Sequence, residues 1–411
     1  MRPNQTNVVT KRKVFYIPGY DPIHPRRYRE LFRKESKAQA EISGYAMALA
    51  PKTTEGPYGW HVVGNVEGQT VHSDVEVLVW SDIVRDSMDN SIPATYAALV
   101  RTAWTYISSG ALRRLMWLRK GPVIAALYPV LFLILQALLA IWVFSVVLRL
   151  GVWLTGPLLG SFAGPLFGIA GLAAGWALLS WFKKRDNKFF AYYLMHDYSY
   201  SARTKGANPP ELEARMAEFA AQIAQGLQEP VDEVLVVGHS SGAHLAVSIL
   251  SDLIRDGRVP QNGPALSFLS LGQVVPMVSF LPQAHRLRAD LNFLSTRDEL
   301  AWIDVTAPGD GCAFALCDPV AVSGVAPEGQ QWPLVISAAF TQTLSPERWK
   351  ALRWRFFRLH FQYLCAFDNP ADYDYFQIIG GPRTLGERYA ERAPSKSRID
   401  IAASKYTSLA A

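Results

Sequence analysis

From Gly121 to Phe182 the chain carries a single charged residue, Arg149. A helix needs about 20 apolar residues to cross the hydrocarbon core of a bilayer. Pro122–Leu148 supplies one such segment and Val152–Phe182 a second, with Gly156, Pro157 and Gly160 as the turn region between the legs. Core helices of soluble proteins keep a polar face, and neither segment has one. The stretch therefore predicts a two-helix transmembrane hairpin, with Pro165 bending the second leg or making it partly re-entrant. Basic residues crowd both flanks (Arg113, Arg114, Arg119 and Lys120 before; Lys183, Lys184, Arg185 and Lys188 after), whereas the far end carries only Arg149. The positive-inside rule then puts both flanks in the cytoplasm. The expectation is an integral membrane protein of the bacterial inner-membrane kind, with its larger part on the cytoplasmic side. Trp117, Trp142, Trp153, Trp176 and Trp181 include positions suited to the interfaces. Gly160, Gly164 and Gly168, then Gly171 and Gly175, recur at four-residue spacing, which permits close helix approach within the hairpin or between protomers of a homo-oligomer. Ile92–Lys120 predicts an amphipathic lead-in helix with Trp104, Ile107, Leu115 and Leu118 toward one side, laid on the membrane surface or packed in a core.

Of 411 residues only 18% are charged, and the hairpin accounts for the deficit. The net charge of +6 asks for an anionic partner. No basic stripe with interleaved exposed aromatics and no nucleic-acid-binding motif is present, so nucleic acid is not expected. Cations gathered beside the apolar stretch point instead to lipid headgroups, and the expected partner is the bilayer. Cys312, Cys317 and Cys365 form neither a disulfide framework nor a zinc spacing, so no metal is expected and a reducing compartment fits. The N-terminus, Met1–Lys13, is polar and basic with no signal-peptide core after it.

Outside the hairpin, short apolar runs alternate with helical patterns. Val14–Ile17, Val75–Trp80, Val234–Val237, Leu266–Leu271 and Trp302–Val305 read as buried strands, with Trp60–Val63 a further candidate. Tyr28–Ala40, Pro210–Leu227 and Ala243–Asp256 read as helices. That order predicts an α/β fold with a mainly parallel sheet and helices on both faces. The polar tail from Ala393 reads as loosely ordered.

The strongest chemical signal is VLVVGHSSGAHLAV over residues 234–247. It holds Gly-x-Ser-x-Gly at Gly238, Ser240 and Gly242, between an apolar strand and an apolar-periodic helix. Three fixed positions recur by chance in roughly one chain in seven of this length, so the weight lies in the flanks. A serine on a tight strand-to-helix turn lifts its hydroxyl above the sheet, and side chains two positions either way would collide with neighbouring backbone. Phosphate loops would need a lysine or a different glycine spacing.

This segment resembles the nucleophile elbow of the α/β-hydrolase superfamily, in a membrane-anchored, bacterial-type member. The resemblance covers most of the chain outside the hairpin. It implies a triad in chain order serine, acid, histidine, with a second oxyanion donor after an early strand. Ser240 is the implied nucleophile and the Ser241 N–H an implied oxyanion donor. After Ser240 stand His244, on the elbow's own helix, His285, ahead of the strand that should carry the acid, and His360, where the family places its base. Asp310, in the turn Ala307–Gly311 beyond Trp302–Val305, is the implied acid, with Asp318 the runner-up and Asp304 third. Val14–Pro22 resembles the family's oxyanion loop, with Pro18 in place of the usual histidine and the Tyr20 N–H as donor. His24 and Asp21 either line the pocket or brace that loop. The first strand already carries the loop, so the two opening strands of larger relatives are expected to be missing.

The implied activity is cleavage of carboxylic or thio esters, drawn from lipid-like or membrane-derived substrates, without metal or cofactor. Acyl transfer to another acceptor, or a non-catalytic interaction module, are the alternatives on the same scaffold. The expected layout is residues 1–120 as the first part of the hydrolase domain, 121–182 as the hairpin, 183–392 as the second part, and 393–411 as a polar tail.

Overall fold

Eight strands form one sheet: β1 (Lys11–Ile17), β2 (Ala46–Pro51), β3 (Gly59–Val66), β4 (Gln69–Val77), β5 (Glu233–His239), β6 (Ala265–Leu271), β7 (Leu300–Thr306) and β8 (Leu334–Ser337). Their spatial order is β2-β3-β4-β1-β5-β6-β7-β8. All pairs from β4 to β8 are parallel, while β2–β3 and β3–β4 are antiparallel. The computed structural model describes residues 8–88 and 91–410. The chain falls into two compact units, one of Met1–Arg85, Ile107–Val123 and Thr204–Ala411, the other of Asp86–Tyr106 and Ile124–Arg203.

In the first unit, strand alternation sends side chains to both faces of the sheet. Val14, Tyr16, Leu235, Val237, Leu269 and Ile303 share a core with Tyr28 and Phe32 of the helix Arg26–Ser43 and with Phe376 and Ile379 of the helix Tyr375–Gly380. On the opposite face Phe15 lies against Gly226 of the helix Pro210–Gly226, whose Cβ position is 2.8 Å from the ring. Helices thus cover both faces, as parallel strands buried on both sides require.

Several strand expectations need correction. β1 begins at Lys11 rather than Val14, and of its charged start Lys11 is exposed while Arg12 and Lys13 are buried. Compensation explains this: Arg12 pairs with Glu233 and donates to the carbonyls of Ile379, Gly381 and Arg383, while Lys13 pairs with Glu76 and Glu229. Buried charges survive only when so paired. β4 starts six residues before the expected Val75–Trp80 and shares only Val75–Val77 with it, and it is joined to β3 by the two-residue turn Glu67–Gly68 with both φ positive. Hairpin turns of that hand match the strand twist. β2 and β8 were not anticipated: one is an alanine-rich edge strand with no buried residue and the other has four residues.

The tail is also corrected, being docked rather than loose. Cys317 and Ile399 form a parallel bridge, the Ala403 N–H donates to the Val322 carbonyl, and the buried Arg288 guanidinium donates to the Ser408 carbonyl.

The lead-in segment is not one helix. It breaks at Gly110 (φ 76°) into Ile92–Ser108 and Ala111–Leu118. Leu115 and Leu118 are buried while Trp104 and Ile107 are exposed, so the four do not share a face.

Lys120–Lys184, which belongs to the second unit from Ile124 onward, is long and apolar enough to cross a membrane, with mean hydropathy 2.7. Only 17% of its most apolar window is buried, whereas a soluble core helix would be mostly covered. The helix runs unbroken from Lys120 to Leu159, past the expected end at Leu148, and then through a 3-10 turn, Gly160–Phe162, into the helix Ala163–Lys184. Arg149 and Gly151 do not stop it: arginine is a good helix former, and a single glycine costs a helix only about 1 kcal/mol. Pro165 falls in the first turn of Ala163–Lys184, where an N–H has no helical acceptor anyway, and that helix is continuous. Gly171 and Gly175 sit against Phe144 and Ala140, while Gly164 and Gly168 have nothing within 4 Å of their Cβ positions. A small core of Ile92, Leu99, Leu133, Ala191, Tyr192 and Met195 joins this unit's flanking helices to the lower part of the apolar one, so the unit extends beyond 121–182 on both sides.

Candidate active site

Ser240 stands between β5 and the helix Ser241–Arg255 with φ 57° and ψ −121°. Such backbone angles cost a non-glycine residue about 1–3 kcal/mol and persist where surrounding structure enforces them. The enforcement is steric. A Cβ on Gly238 would lie 2.7 Å from the Gly242 carbonyl oxygen, and one on Gly242 would lie 2.1 Å from that of Ile17. The chain leaving β1 crosses directly over the serine: the Gly19 Cβ position is 3.0 Å from Ser240 Cβ and 3.4 Å from its Oγ. Trp80 fastens this loop by donating its indole N–H to the Pro18 carbonyl (2.9 Å), with Tyr20 edge-on to its ring. Asp21 accepts from the Tyr28 hydroxyl and pairs with Arg27, and His24 Nδ1 accepts from the Arg26 N–H. These are bracing contacts.

Beyond β7 the chain turns at Ala307–Asp310, and Asp310 is buried. Its Oδ2 accepts from His360 Nδ1 (2.7 Å) and from the Tyr363 hydroxyl (3.0 Å), while Oδ1 accepts from the Cys312 N–H (2.8 Å). Burial alone would raise its pKa. The adjacent His360 and these hydrogen bonds outweigh burial and hold the carboxyl below its ordinary value. A carboxylate acceptor fixes the proton on His360 Nδ1, leaving a lone pair on Nε2. That Nε2 atom is buried and has no hydrogen-bond partner among the described residues.

Ser240 and His360 flank one turn. The Ser240 N–H donates to the Leu271 carbonyl (2.9 Å), and at the next residue, Gly272 (φ 54°), a Cβ would meet His360 Cε1 at 3.0 Å. His239 ties them further: its Nε2 donates to the His360 carbonyl (3.0 Å) and the two rings are 4.9 Å apart. Burial, then the nearby His360, pushes His239 down to about 3, so it is neutral.

The other sequence candidates sit elsewhere. Asp318 caps the short helix Pro319–Val322, accepting from the N–H groups of Val320 and Ala321. Asp304 is buried in β7 and accepts from the Ser270 hydroxyl (2.6 Å). His244 is buried within the elbow helix. His239, Gly272 and Tyr363 were missed. His239 stands inside the Gly238–Gly242 motif and Tyr363 three residues after His360, whereas Gly272 left no trace.

All three cysteines are free thiols. Asp310, Cys312 and His360 bring one ligand-capable atom each within 4.8 Å. The carboxylate and imidazole there are already committed to one another through the Nδ1 proton, which a metal at that nitrogen would have to displace.

Burial raises the Asp304 carboxyl to about 8, so it is protonated at neutral pH. An unfolded aspartate has a pKa near 3.9. As pH rises from about 4 to 8 the unfolded chain gives up a proton that the native state keeps, so this group's contribution to stability declines across that window. Asp304→Asn removes the decline. Thermal melts between pH 5 and 9 are expected to show the variant gaining on the wild type as pH rises, then levelling off. A pH-independent offset would mean that Asp304 is ionised throughout.

Comparison of the chain with protein-family models, with curated proteins and with solved structures finds no match.

Proposed function

We propose that this chain is a membrane-anchored serine hydrolase of the α/β-hydrolase type, acting on carboxylic or thio esters of lipid-like molecules. The observation that carries the reading is the His360 imidazole. Its Nδ1 proton is held by a buried carboxylate and its Nε2 is bare, beside a serine held in a disallowed turn. That is the equipment of a general base next to a nucleophile. Ser240 Oγ attacks the acyl carbonyl as Nε2 takes its proton. Asp310 stabilises the imidazolium that forms, and the imidazolium then protonates the leaving group. The N–H of Ser241, first in its helix and without a helical acceptor, and that of Tyr20 receive the oxyanion. Water activated by the same nitrogen clears the acyl-enzyme. In ligand-free structures such hydrogen bonds commonly close only when substrate is present.

We read Lys120–Lys184 as a hairpin through the bilayer, with its basic flanks and the catalytic unit on the cytoplasmic side. By connectivity this anchor lies between β4 and β5, so both halves of the catalytic unit leave from one membrane surface. That is the basis for expecting a substrate that resides in or leaves the membrane.

A fluorophosphonate probe tests the chemistry directly. The purified full chain should be labelled, and Ser240→Ala should not. A folded wild type that stays unlabelled would falsify the hydrolase reading.

A further inference from the structure

Residues Arg353–Arg358 precede His360 and have had no role in the chemistry above. All six are exposed, between buried Leu352 and Leu359. Three are arginines, three are aromatic, and none is acidic. Trp354 is 73% exposed, with Arg353 over its ring and Phe356 edge-on to it. No basic stripe with interleaved exposed aromatics was found in the sequence; this six-residue one shows itself only in the exposure pattern between two buried leucines, and it suits neither a core nor plain solvent. It suits the bilayer interface, where indole and phenyl rings sit at headgroup depth and arginines meet anionic lipid.

Within the first unit, three contacts bring this segment and the first residues of the apolar helix to the loop after β7. The Phe356 ring lies 2.8 Å from the Cβ position of Gly311, the residue after Asp310. On the same Gly311 rests Gly121, at the start of the apolar helix, with 3.6 Å from its Cβ position to the Gly311 Cα. Arg119 donates to the Ala315 carbonyl in the same loop (2.9 Å). The point where the chain begins its apolar run and the aromatic–arginine segment therefore share one loop, the loop that carries Asp310.

We propose that Arg353–Arg358 is a membrane-contacting rim that seats the mouth of the Ser240–His360 site on an anionic bilayer surface. Its value for catalysis rests on the hydrolase reading: an acyl chain leaves the bilayer beside the serine without crossing water. The contact itself does not depend on that reading.

The test uses the full chain reconstituted in phosphatidylcholine vesicles with and without phosphatidylglycerol, the acyl chains brominated or not. The difference emission between wild type and Trp354→Phe isolates one indole. Most of it should be lost to brominated lipid in the anionic vesicles, and the double variant Arg353→Gln, Arg355→Gln should restore much of it. Quenching that is equal in neutral vesicles overturns the anionic assignment, and no quenching in either overturns the rim. Turnover of a water-soluble short-chain ester in the same vesicles is read separately. Its absence sinks the hydrolase reading and leaves the quenching result standing.

Discussion

His360→Gln is expected to lower ester turnover by about 10⁶-fold, the scale seen when the base of a serine triad is removed. The loss should appear in kcat, since the imidazole acts on the proton of Ser240 rather than on binding. Asp310→Asn is expected to cost about 10⁴-fold, because an amide donor facing Nδ1 favours the tautomer that has no lone pair on Nε2. The two should not add. Once the base is gone the orienting acid has nothing to orient, so the double variant should match His360→Gln alone. Both side chains are buried, and a denaturation midpoint within a few degrees of wild type separates a chemical from a folding effect. Full turnover by folded His360→Gln would remove His360 from the mechanism and shift attention to His239, the nearest other imidazole.

Much of the first unit was legible because its signals are local. The elbow announces itself through glycines whose side chains would strike backbone two residues from the serine, and the parallel strands through short apolar runs. Asp310 and His360 are 50 positions apart, and only the resemblance, not the residues themselves, linked them; the 2.7 Å bond between them is a tertiary fact. What was missed had its cause outside the segment concerned. Arg12 and Lys13 join β1 only because Glu233, Glu76 and Glu229 arrive from distant positions to neutralise them. The tail looked disordered by composition, yet backbone hydrogen bonds, which composition does not encode, dock it. The apolar run was legible in extent, and its break at Gly160–Phe162 begins at the last residue of the expected turn region; the expected end of the first leg, Leu148, falls too early, since hydropathy is blind to where a continuous apolar helix stops.

Gly242→Ala is expected to be among the most damaging single-methyl changes available to this protein. The new Cβ would lie 2.1 Å from the Ile17 oxygen and 2.8 Å from both the Ile17 carbon and the Pro18 oxygen. None of these is a side-chain tip that can swing aside. They are main-chain atoms leaving the central strand, hydrogen-bonded on both sides through β1–β4 and β1–β5 pairing. Overpacking a core commonly costs 1–3 kcal/mol, and a clash with sheet backbone belongs above that range, at about 3–5 kcal/mol. Gly257→Ala is the informative control. Gly257 has φ 66° with nothing within 4 Å, so its cost is backbone strain alone, about 1–2 kcal/mol. Urea denaturation of the first unit should order the three proteins as wild type, Gly257→Ala, Gly242→Ala, from most to least stable. The molecules of Gly242→Ala that stay folded should also lose esterase activity, because relief of the clash moves Pro18–Tyr20 away from Ser240. A Gly242→Ala protein with wild-type midpoint and wild-type turnover would mean that the loop after β1 does not press on the elbow, and the oxyanion role given to Tyr20 would go with it.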